Sequence, residues 1–492
     1  MSEIEIQELT VKKYHDRLRD GELTVETVVQ WYLDRIEQYD SADLELNAVV
    51  TVNDEAASRA KELDQVFTED GFVGPLHGAP VLLKDQAMTA GTRTTFGSVA
   101  FEEYIPDENA TVVNRLEAAG AVILAKTNLP DFAAGFVGYS SVNGQTCNPY
   151  DLSRDSGGSS AGTAAGVAAN LGLLGVGEDT GGSIRVPASF CNLFGLRVTT
   201  GLISRTGMSP LVAEQDTPGP MCRTVDDLAR LLDVLVSYDP TDTATAVHAN
   251  WSTERSFQDV LDETALDGAR IGVLRDAFGD TDRVNQVTET VETALKRIET
   301  AGATLVDPVD IDELQTLLDE TSLYGLVAKR DLNEFFQGLT EPPVDSFEEL
   351  YDNNDYHEAL EHIETIADAP EDPTEGREYW RRLARQDAFS QGIQYTLTDH
   401  DLDAIAFPDV QVVPPVAERY HTGEITRADV PTNTFIASQS GCPAISLPAG
   451  LTDDGLPVGV ELLGAPFADR QLVSFAAAYE ADVDPRTPPE LS

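Results

Sequence analysis

The segment from residue 156 to 190 has the composition of a site that binds a ligand through its backbone. Its sequence is SGGSSAGTAAGVAANLGLLGVGEDTGGSIRVPASF, in which glycine, alanine and serine dominate. Glycine lets backbones approach closely and leaves amide N–H groups open to a ligand. A packed helix between glycine turns explains 161–172, but not the Gly-Gly-Ser triplet at 181–183 with Arg185 close behind. Serines in this setting are candidates for nucleophilic chemistry.

Two other kinds of glycine-rich site fit this segment poorly. The phosphate-loop pattern GxxxxGK[ST] is absent, and no lysine lies near. The triplet at 175–177 matches only part of a dinucleotide-binding fingerprint, and the carboxylates of Glu178 and Asp179 would repel a pyrophosphate. The segment is therefore not expected to bind a nucleotide.

A third interpretation is more serious, because GSSAG at 158–162 fits GxSxG, the nucleophile elbow of α/β-hydrolases. Ser160 would then be the nucleophile of an esterase-type site, with an acid and a histidine downstream. The elbow needs a buried strand immediately before it, whereas residues 148–155 are loop-like in sequence. The later histidines all lie outside apolar or glycine-rich settings: His248, His357, His362, His400 and His421. This context weighs against the elbow.

A serine nucleophile needs a base, and Lys84 stands out among the seven lysines of the chain. It directly follows the apolar run at 79–83, so a strand end would deliver it rather than a solvated helix face. A lysine is a base only when neutral, and burial and nearby cations favour that form by lowering its pKa from about 10.4. The alternative is a structural ion pair between Lys84 and Asp85, and spacing alone leaves both open.

Alternating strands and helices must position these residues. Apolar periodicity predicts helices at 7–20, 24–38, 54–66, 224–237 and 283–301. Short apolar runs predict strands at 79–83, 121–125, 271–274, 304–306, 404–407, 444–447 and 458–462. This alternation predicts an α/β fold with a mixed, mostly covered central β-sheet flanked by helices.

The chain is expected to form a single domain over 1–492, since no internal repeat or clear linker divides it. Residues 1–70 are predicted to be an N-terminal helical segment. Residues 308–400 are acidic, helical in pattern and rich in aromatic side chains. They are predicted to be a helical elaboration that partly covers the sheet.

The chain is strongly acidic, with 85 acidic against 33 basic residues and a net charge of −52. The acid is spread along the chain instead of forming a tail, which is typical of a hydrated surface in a salt-rich, halophilic cytoplasm. No basic stripe is present that could bind nucleic acid directly. The N-terminus lacks a signal-peptide pattern, and no run of about 20 apolar residues could span a membrane. A cytoplasmic protein without membrane contact is expected.

Motifs along nearly the whole chain resemble those of the amidase signature enzymes. The family's central signature is matched by GGSSAG at 157–162, GVGEDTGGSIRVPASFCN at 175–192 and GLRVTTGLISRTG at 195–207. GPLHGAPVLLKD at 74–85 resembles the family's lysine segment, and PAISLPAGLTDDGLPVGVELLG at 443–464 its C-terminal part. The resemblance implies an α/β/α sandwich and an amidase that requires neither a metal nor an organic cofactor.

Carried over motif by motif, the resemblance implies a Ser–Ser–Lys triad. Ser183 would be the nucleophile, Ser159 the bridging serine after a cis peptide bond, and Lys84 the base. The oxyanion hole would be formed by the backbone N–H groups of Thr180, Gly181, Gly182 and Ser183. Three residues would support the loop or the triad: Ser160, Asp179 and Arg185. One departure from the family pattern is Glu178, where a smaller residue is expected, and it is interpreted as a surface acid.

The expected reaction converts a carboxamide of a small molecule or short peptide to a carboxylate and ammonia through an acyl-enzyme. The alternative is the glutaminase-type amidase subunit of a tRNA-dependent amidotransferase, which would need a partner chain. A non-enzymatic scaffold would predict a changed triad position, and none is changed. The acyl pocket is expected to draw on 132–140, the acidic helical region and the C-terminal segment. The substrate and the oligomeric state stay open, with a homodimer as one option.

Overall fold

The computed structural model describes residues 6–42, 46–251, 254–279, 284–482 and 486–491, which fold around one large mixed β-sheet. The strands are β1 (Val49–Val52), β2 (Pro80–Lys84), β3 (Val122–Thr127), β4 (Tyr139–Ser140), β5 (Gly144–Gln145), β6 (Cys147–Asn148), β7 (Asp151–Asp155), β8 (Leu174–Asp179), β9 (Phe194–Arg197), β10 (Thr217–Cys222), β11 (Arg270–Leu274), β12 (Thr304–Val309), β13 (Ala404–Pro408), β14 (Ala444–Leu451) and β15 (Pro457–Leu463). Eleven of them form the large sheet in the order β1-β3-β2-β8-β10-β9-β14-β15-β13-β11-β12, and β4–β5 and β6–β7 form two small antiparallel pairs.

Helices pack against both this sheet and each other. They are α1 (Val11–Arg19), α2 (Val25–Ile36), α3 (Ala56–Asp70), α4 (Thr111–Ala118), α5 (Ala161–Ala168), α6 (Arg185–Phe190), α7 (Val225–Leu235), α8 (Asn285–Thr300), α9 (Leu314–Thr321), α10 (Tyr324–Gly338), α11 (Phe347–Asn353), α12 (Glu361–Ala367), α13 (Arg377–Asp399), α14 (Ala417–His421), α15 (Phe435–Ser440) and α16 (Asp469–Asp482). Within the described ranges, no helix is both long and apolar enough to cross a membrane.

The middle of the sheet brings two strand ends to the same edge. β2 runs parallel to β3 on one side and to β8 on the other. The carboxyl ends of parallel strands lie at one edge of a sheet, and crevices at that edge commonly hold functional sites. Lys84 is the last residue of β2 and Asp179 the last of β8. Every residue of both strands is buried, as expected for strands covered on both faces.

Helices α9 to α13 lie between β12 and β13 in the chain, and α10 packs against the loops that follow β2 and β3. Aromatic side chains make the connection: the Phe336 ring of α10 lies 5.4 Å from the ring of Phe101 and 5.4 Å from that of Phe132. Phe96 joins this cluster at 5.2 Å from Phe101. Large buried rings contribute strongly to packing energy, so this cluster anchors the helical region against the loops that follow β2 and β3.

The predicted fold class is confirmed, and each predicted strand corresponds to an observed one. Four strands of the large sheet were not predicted, namely β1, β8, β9 and β10. The description of 148–155 as loop-like was wrong, because β7 lies there, although it pairs only with β6. Position 283, the predicted start of α8, lies outside the described residues, as do 1–5 and 492. The single domain over 1–492, with its divisions at 1–70 and 308–400, stays a prediction.

Candidate active site

Lys84 is completely buried at the end of β2, with its amine beside Ser159 and Glu178. Lys84 Nζ donates a hydrogen bond to Ser159 Oγ at 2.8 Å and another to the backbone carbonyl of Glu178 at 3.2 Å. The expected alternative, an ion pair with the neighbouring Asp85, is absent from the described contacts. Asp85 Oδ1 lies instead 3.0 Å from the buried amine of Lys126. Strand alternation explains this, because successive side chains point to opposite faces.

The environment of Lys84 makes its amine easier to deprotonate than that of a lysine in water, because the net shift of its pKa is downwards. Burial lowers the pKa of Lys84 below its usual value, because an ammonium group loses its hydration there. The nearby carboxylates oppose this effect, Glu178 most strongly, followed by Asp179 and Asp216. The protonation state of the amine is thus set by competition between burial and negative charge.

Ser159 lies in the turn before α5, where the Gly158–Ser159 peptide bond is cis, as the resemblance implied. The next residue, Ser160, ties this turn to two other segments. Ser160 Oγ donates to the carbonyl of Glu178 at 3.1 Å and accepts from the N–H of Glu178 at 3.2 Å. The N–H of Ser160 donates to the carbonyl of Ser183 at 3.1 Å. These bonds hold the turn against β8 and the loop that follows it.

Ser183 lies in the loop between β8 and α6 and lines a cavity of about 200 Å³. Its neighbours on that wall include Thr180 and Gly181. Among the described residues, no hydrogen bond joins the hydroxyls of Ser159 and Ser183. The structure therefore places Lys84 and Ser159 in direct contact, and attaches Ser183 to the same turn through its backbone.

Asp179 organises the loop that carries Ser183. Its carboxylate accepts from the N–H of Gly182 at 2.9 Å and from that of Ile184 at 3.1 Å. It also pairs with two buried guanidinium groups, Arg185 at 3.1 Å and Arg197 at 2.9 Å. Burial alone would raise the pKa of Asp179, but these two cations outweigh burial and lower it to about 2. The carboxylate is thus ionised and fixes the loop backbone.

Gly182 differs from the other predicted oxyanion-hole residues. Its N–H already donates to Asp179, whereas Thr180, Gly181 and Ser183 line the cavity. Its φ of +131° is a conformation that side chains other than glycine rarely adopt. A Cβ atom there would lie 1.9 Å from Thr434 Oγ1. Gly182 is therefore required for the path of the loop, and its amide is not directed into the cavity.

The interpretation of Glu178 as a surface acid was wrong, because the residue is only 1% exposed. Glu178 Oε2 lies 3.5 Å from Lys84 Nζ. On the other side, Thr180 Oγ1 donates to Asp216 Oδ1 at 2.6 Å and to Glu178 Oε1 at 3.3 Å. Burial raises the pKa of both carboxyl groups. The burial of Glu178 could have been inferred only by recognising β8. That strand is buried on both faces, so none of its side chains is exposed.

The cavity at Ser183 is walled by residues that sequence motifs did not identify. Many come from the three regions expected to form the acyl pocket, but Leu211 and Val212 lie outside those regions. The side chains at the cavity include Phe136, Leu211, Val212, Tyr324, His362, Arg427, Phe435 and Gln439. Burial and the charge of Arg427 lower the pKa of His362 to about 3, so this histidine is neutral. A second cavity of about 430 Å³ shares Phe136, His362 and Arg427 with the first.

The arrangement argues against Ser160 as the nucleophile. Ser160 is fully buried, and its hydroxyl is engaged with the backbone of Glu178. Among the described residues that line the cavity, Ser183 is present and Ser160 is not. A nucleophile has to reach the substrate carbonyl, and of these two serines it is Ser183 that borders the cavity.

Comparison with known proteins gives matches over almost the whole chain. The profile of the Amidase family matches residues 27–473. A glutamyl-tRNA(Gln) amidotransferase subunit of Acinetobacter baylyi is 32% identical, over 97% of this chain and 96% of that protein. The X-ray structure of the peptide amidase from Stenotrophomonas maltophilia is similar with a TM-score of 0.89 and 33% identity, covering 98% of this chain and 99% of the other. For the corresponding amidotransferase subunit from Thermotoga maritima, the TM-score is 0.76 at 27% identity, with 100% of both chains covered.

Proposed function

The chain belongs to the amidase signature family and is an amide C–N hydrolase, and from this premise we propose that it cleaves a carboxamide through an acyl-enzyme on Ser183. The observation that carries the proposal is the 2.8 Å contact between Lys84 Nζ and Ser159 Oγ, with Ser183 attached to the same turn. Lys84 thus supplies a buried amine, Ser159 a relay hydroxyl, and Ser183 a nucleophile at the cavity wall.

In the proposed mechanism, neutral Lys84 is the base. Ser183 Oγ attacks the amide carbon while its proton passes to Ser159 Oγ, whose own proton passes to Lys84 Nζ. The described contacts include no hydrogen bond between the two serine hydroxyls, so the mechanism requires Ser183 Oγ to come within hydrogen-bond distance of Ser159 Oγ before attack. The relay then returns the proton to the departing nitrogen, which leaves as ammonia. A water molecule hydrolyses the ester on Ser183 by the same route and releases the carboxylate.

The oxyanion of the tetrahedral intermediate is proposed to bind the loop amides that line the cavity. Thr180, Gly181 and Ser183 line the cavity, and their backbone N–H groups are the proposed donors. Removing one such donor costs about 3 kcal/mol of transition-state stabilisation. Asp179 and Arg185 support the site through the loop backbone and do not touch the reacting atoms.

The walls of the cavity support an uncharged, largely apolar acyl group as the substrate part bound there. Phenylalanine, leucine, valine and tyrosine side chains form much of its lining, and the described lining residues include no aspartate or glutamate. A substrate ammonium group would lose its hydration there without a carboxylate partner, which is costly. Free glutamine carries such a group, so the lining favours a stand-alone amidase for small-molecule or short-peptide amides.

The adjoining cavity of about 430 Å³ supports a substrate that extends beyond its acyl group. Arg427 and His362 lie where the two cavities meet, and both can donate to a carbonyl group of a peptide. The preference for a stand-alone amidase agrees with the TM-score, which is higher with the peptide amidase than with the Thermotoga protein. The same proposal holds that the protein acts in the cytoplasm and without a partner protein.

A second candidate function is the amidase subunit of a tRNA-dependent amidotransferase. The identity of 32% to the Acinetobacter protein over 97% of the chain favours it. That function would require glutamine as ammonia donor and a partner chain that uses the ammonia.

One experiment separates the two candidates. The purified chain is incubated in high salt with hexanamide, benzamide, a C-terminally amidated dipeptide or glutamine, and the ammonia released is measured. The proposal predicts turnover of at least one of the first three by the chain alone, and its loss in Ser183→Ala. Ammonia release from glutamine only, and only with a partner chain and tRNA present, would overturn it in favour of the second candidate.

A further inference from the structure

Glu178 is a buried carboxyl group placed against the proposed base. Its Oε2 atom lies 3.5 Å from Lys84 Nζ, and both side chains are at most 2% exposed. No described residue donates a well-aligned hydrogen bond to this oxygen, although Lys84 and Gln86 lie near the carboxyl group and favour its charged form. A buried carboxylate oxygen without a donor is costly unless a cation balances it or a proton neutralises it. The amine of Lys84 is close enough to provide either.

Among Lys84, Glu178 and Asp216, the carboxyl groups outnumber the amine by one. Asp179 also faces Lys84, but its charge is balanced by Arg197 together with Arg185, which also pairs with Glu461 at 2.6 Å. Asp216 is linked to Glu178 through the hydroxyl of Thr180, and the charge of Glu178 raises the pKa of Asp216. The titratable or polar groups that face Glu178 are Lys84 of β2, Gln86 after β2, Asp179 of its own strand, Arg197 of β9, Thr180, and Asp216 before β10.

The geometry points to Glu178 as a positioning residue for Lys84, whose buried carboxyl group shares the proton of the amine and so sets the pH range in which the amine accepts a proton from Ser159. This inference rests on the proposed function, because it assigns Lys84 as the base.

Proton sharing between these groups leaves the buried charge unchanged. When the N–H bond of the Lys84 ammonium breaks and an O–H bond forms at Glu178 Oε2, an ion pair becomes an amine and a carboxylic acid. Both forms have a net charge of zero, so neither requires an isolated charge in the interior. The amine can therefore become neutral without a proton leaving the cluster.

A separate cavity gives the carboxyl groups their own access for proton exchange. This space of about 300 Å³ is lined by Glu178 and Asp216 together with other charged residues, namely Arg205, Asp242, Asp331 and Glu334. None of its described lining residues also lines the cavity at Ser183. Protons can thus equilibrate with the pair while a substrate fills the other cavity.

The test measures the rate at which a fluorophosphonate probe labels Ser183 between pH 5 and pH 10. This readout does not depend on knowing the substrate. The variants are Glu178→Gln, Glu178→Ser and Glu178→Asp, with Glu334→Gln as the matched control. Glu334 is an exposed carboxylate that lines the same 300 Å³ cavity. Circular dichroism and the melting temperature establish which variants are folded.

Removing the carboxylate disfavours the ammonium form of Lys84, so the amine becomes neutral at lower pH. Glu178→Gln and Glu178→Ser are expected to move the acid-side midpoint of the labelling profile down by about one pH unit or more. Glu178→Asp keeps a carboxylate one methylene further from the amine and is expected to move it by less. Glu334→Gln is expected to keep the wild-type midpoint.

The outcomes separate this inference from the proposed function. An unchanged midpoint in Glu178→Gln and Glu178→Ser would overturn the inference, whether or not the labelling rate is uniformly lower, and would leave the proposed triad intact. In Lys84→Ala, labelling at the wild-type rate would overturn the proposed function and the inference together. Loss of labelling in Lys84→Ala combined with a downward shift in Glu178→Gln or Glu178→Ser supports both.

Discussion

Lys84 Nζ lies 2.8 Å from Ser159 Oγ although the two residues are 75 positions apart in the chain. The end of β2 delivers the lysine, and the turn before α5 delivers the serine. Ser160 holds that turn by hydrogen bonds to Glu178 in β8 and to Ser183 in the next loop. The contact thus depends on the end of β2, the turn before α5, β8 and the loop that follows it, and displacing any of them is expected to separate the amine from the hydroxyl of Ser159.

Ser183→Ala is expected to lower kcat by at least about 10⁴-fold, because a nucleophile that acts as a unit with its base accounts for most of the rate enhancement. Ser160→Ala is the matched control. It loses two hydrogen bonds with the backbone of Glu178, which is expected to lower the free energy of unfolding by about 1–2 kcal/mol while turnover remains measurable. Ammonia release and urea unfolding measure both effects. An active Ser183→Ala with an inactive Ser160→Ala would favour the nucleophile elbow instead.

Asp179→Asn is expected to lower the free energy of unfolding by about 3 kcal/mol, because it leaves Arg185 and Arg197 buried with a charge that Asp179 no longer balances. Asp151→Asn is the control, since Asp151 pairs with Arg154 near the surface, where an ion pair contributes little. Urea unfolding at pH 7 compares the two variants. Equal effects of both substitutions would contradict the assigned role of Asp179.

The contribution of Asp179 is also expected to depend on pH. Its pKa in the folded protein is lowered to about 2 from the usual 3.8. Such a group contributes its full stability above about pH 4 and loses it as the pH falls towards 2. The difference in unfolding free energy between the wild type and Asp179→Asn should therefore shrink by about 1 kcal/mol between pH 5 and pH 3. A difference that stays constant over this range would contradict the assigned ionisation.

The strands next to Lys84 could be predicted because their sequences are short apolar runs. Pro80–Lys84 and Val122–Thr127 contain the valine, isoleucine and leucine that are typical of buried parallel strands. β8 and β10 could not be found this way. Leu174–Asp179 and Thr217–Cys222 contain glycine, proline and acidic residues that weaken a strand pattern, and burial by neighbouring strands decides their structure.

The proposed catalytic residues could be located from motifs, whereas the walls of the cavity could not. Lys84, Ser159 and Ser183 lie in continuous motifs that can be recognised one segment at a time. Phe136 and Phe435 form a wall only because the fold brings their rings to 5.5 Å from one another. Glu178 was misjudged for the same reason, since its burial depends on β2 and β10 lying on either side of it.

Gly182→Ala is expected to displace the loop that carries Ser183, because the new methyl group would meet Thr434 and φ is +131°. The expected loss in kcat is about 10²-fold or more, since a displaced nucleophile no longer meets the amide carbon. Gly268→Ala is the control. Gly268 also has a positive φ, of +80°, but no heavy atom lies within 4 Å of an added Cβ.

The control separates the clash from the backbone strain. Gly268→Ala is expected to lower the melting temperature slightly and to leave kcat unchanged. Normal kcat in Gly182→Ala would contradict the assigned path of the loop.

The acidic surface predicts stability that depends on salt. With a net charge of −52, repulsion between carboxylates is strong in dilute buffer. Added salt shortens the screening length from about 10 Å at 0.1 M to about 3 Å at 1 M. The melting temperature is expected to rise steadily from 0.05 M to 2 M KCl, with sucrose of equal osmolality as the uncharged control. Equal melting temperatures at both KCl concentrations would contradict adaptation to salt.

The covalent intermediate provides the most direct test of the central claim. The wild type and Lys84→Ala are mixed with p-nitrophenyl hexanoate, quenched in acid during turnover, digested and analysed by mass spectrometry. The account predicts a hexanoyl group on Ser183 in the wild type and none in Lys84→Ala. A hexanoyl group on Ser160, or equal acylation of Ser183 in both proteins, would contradict it.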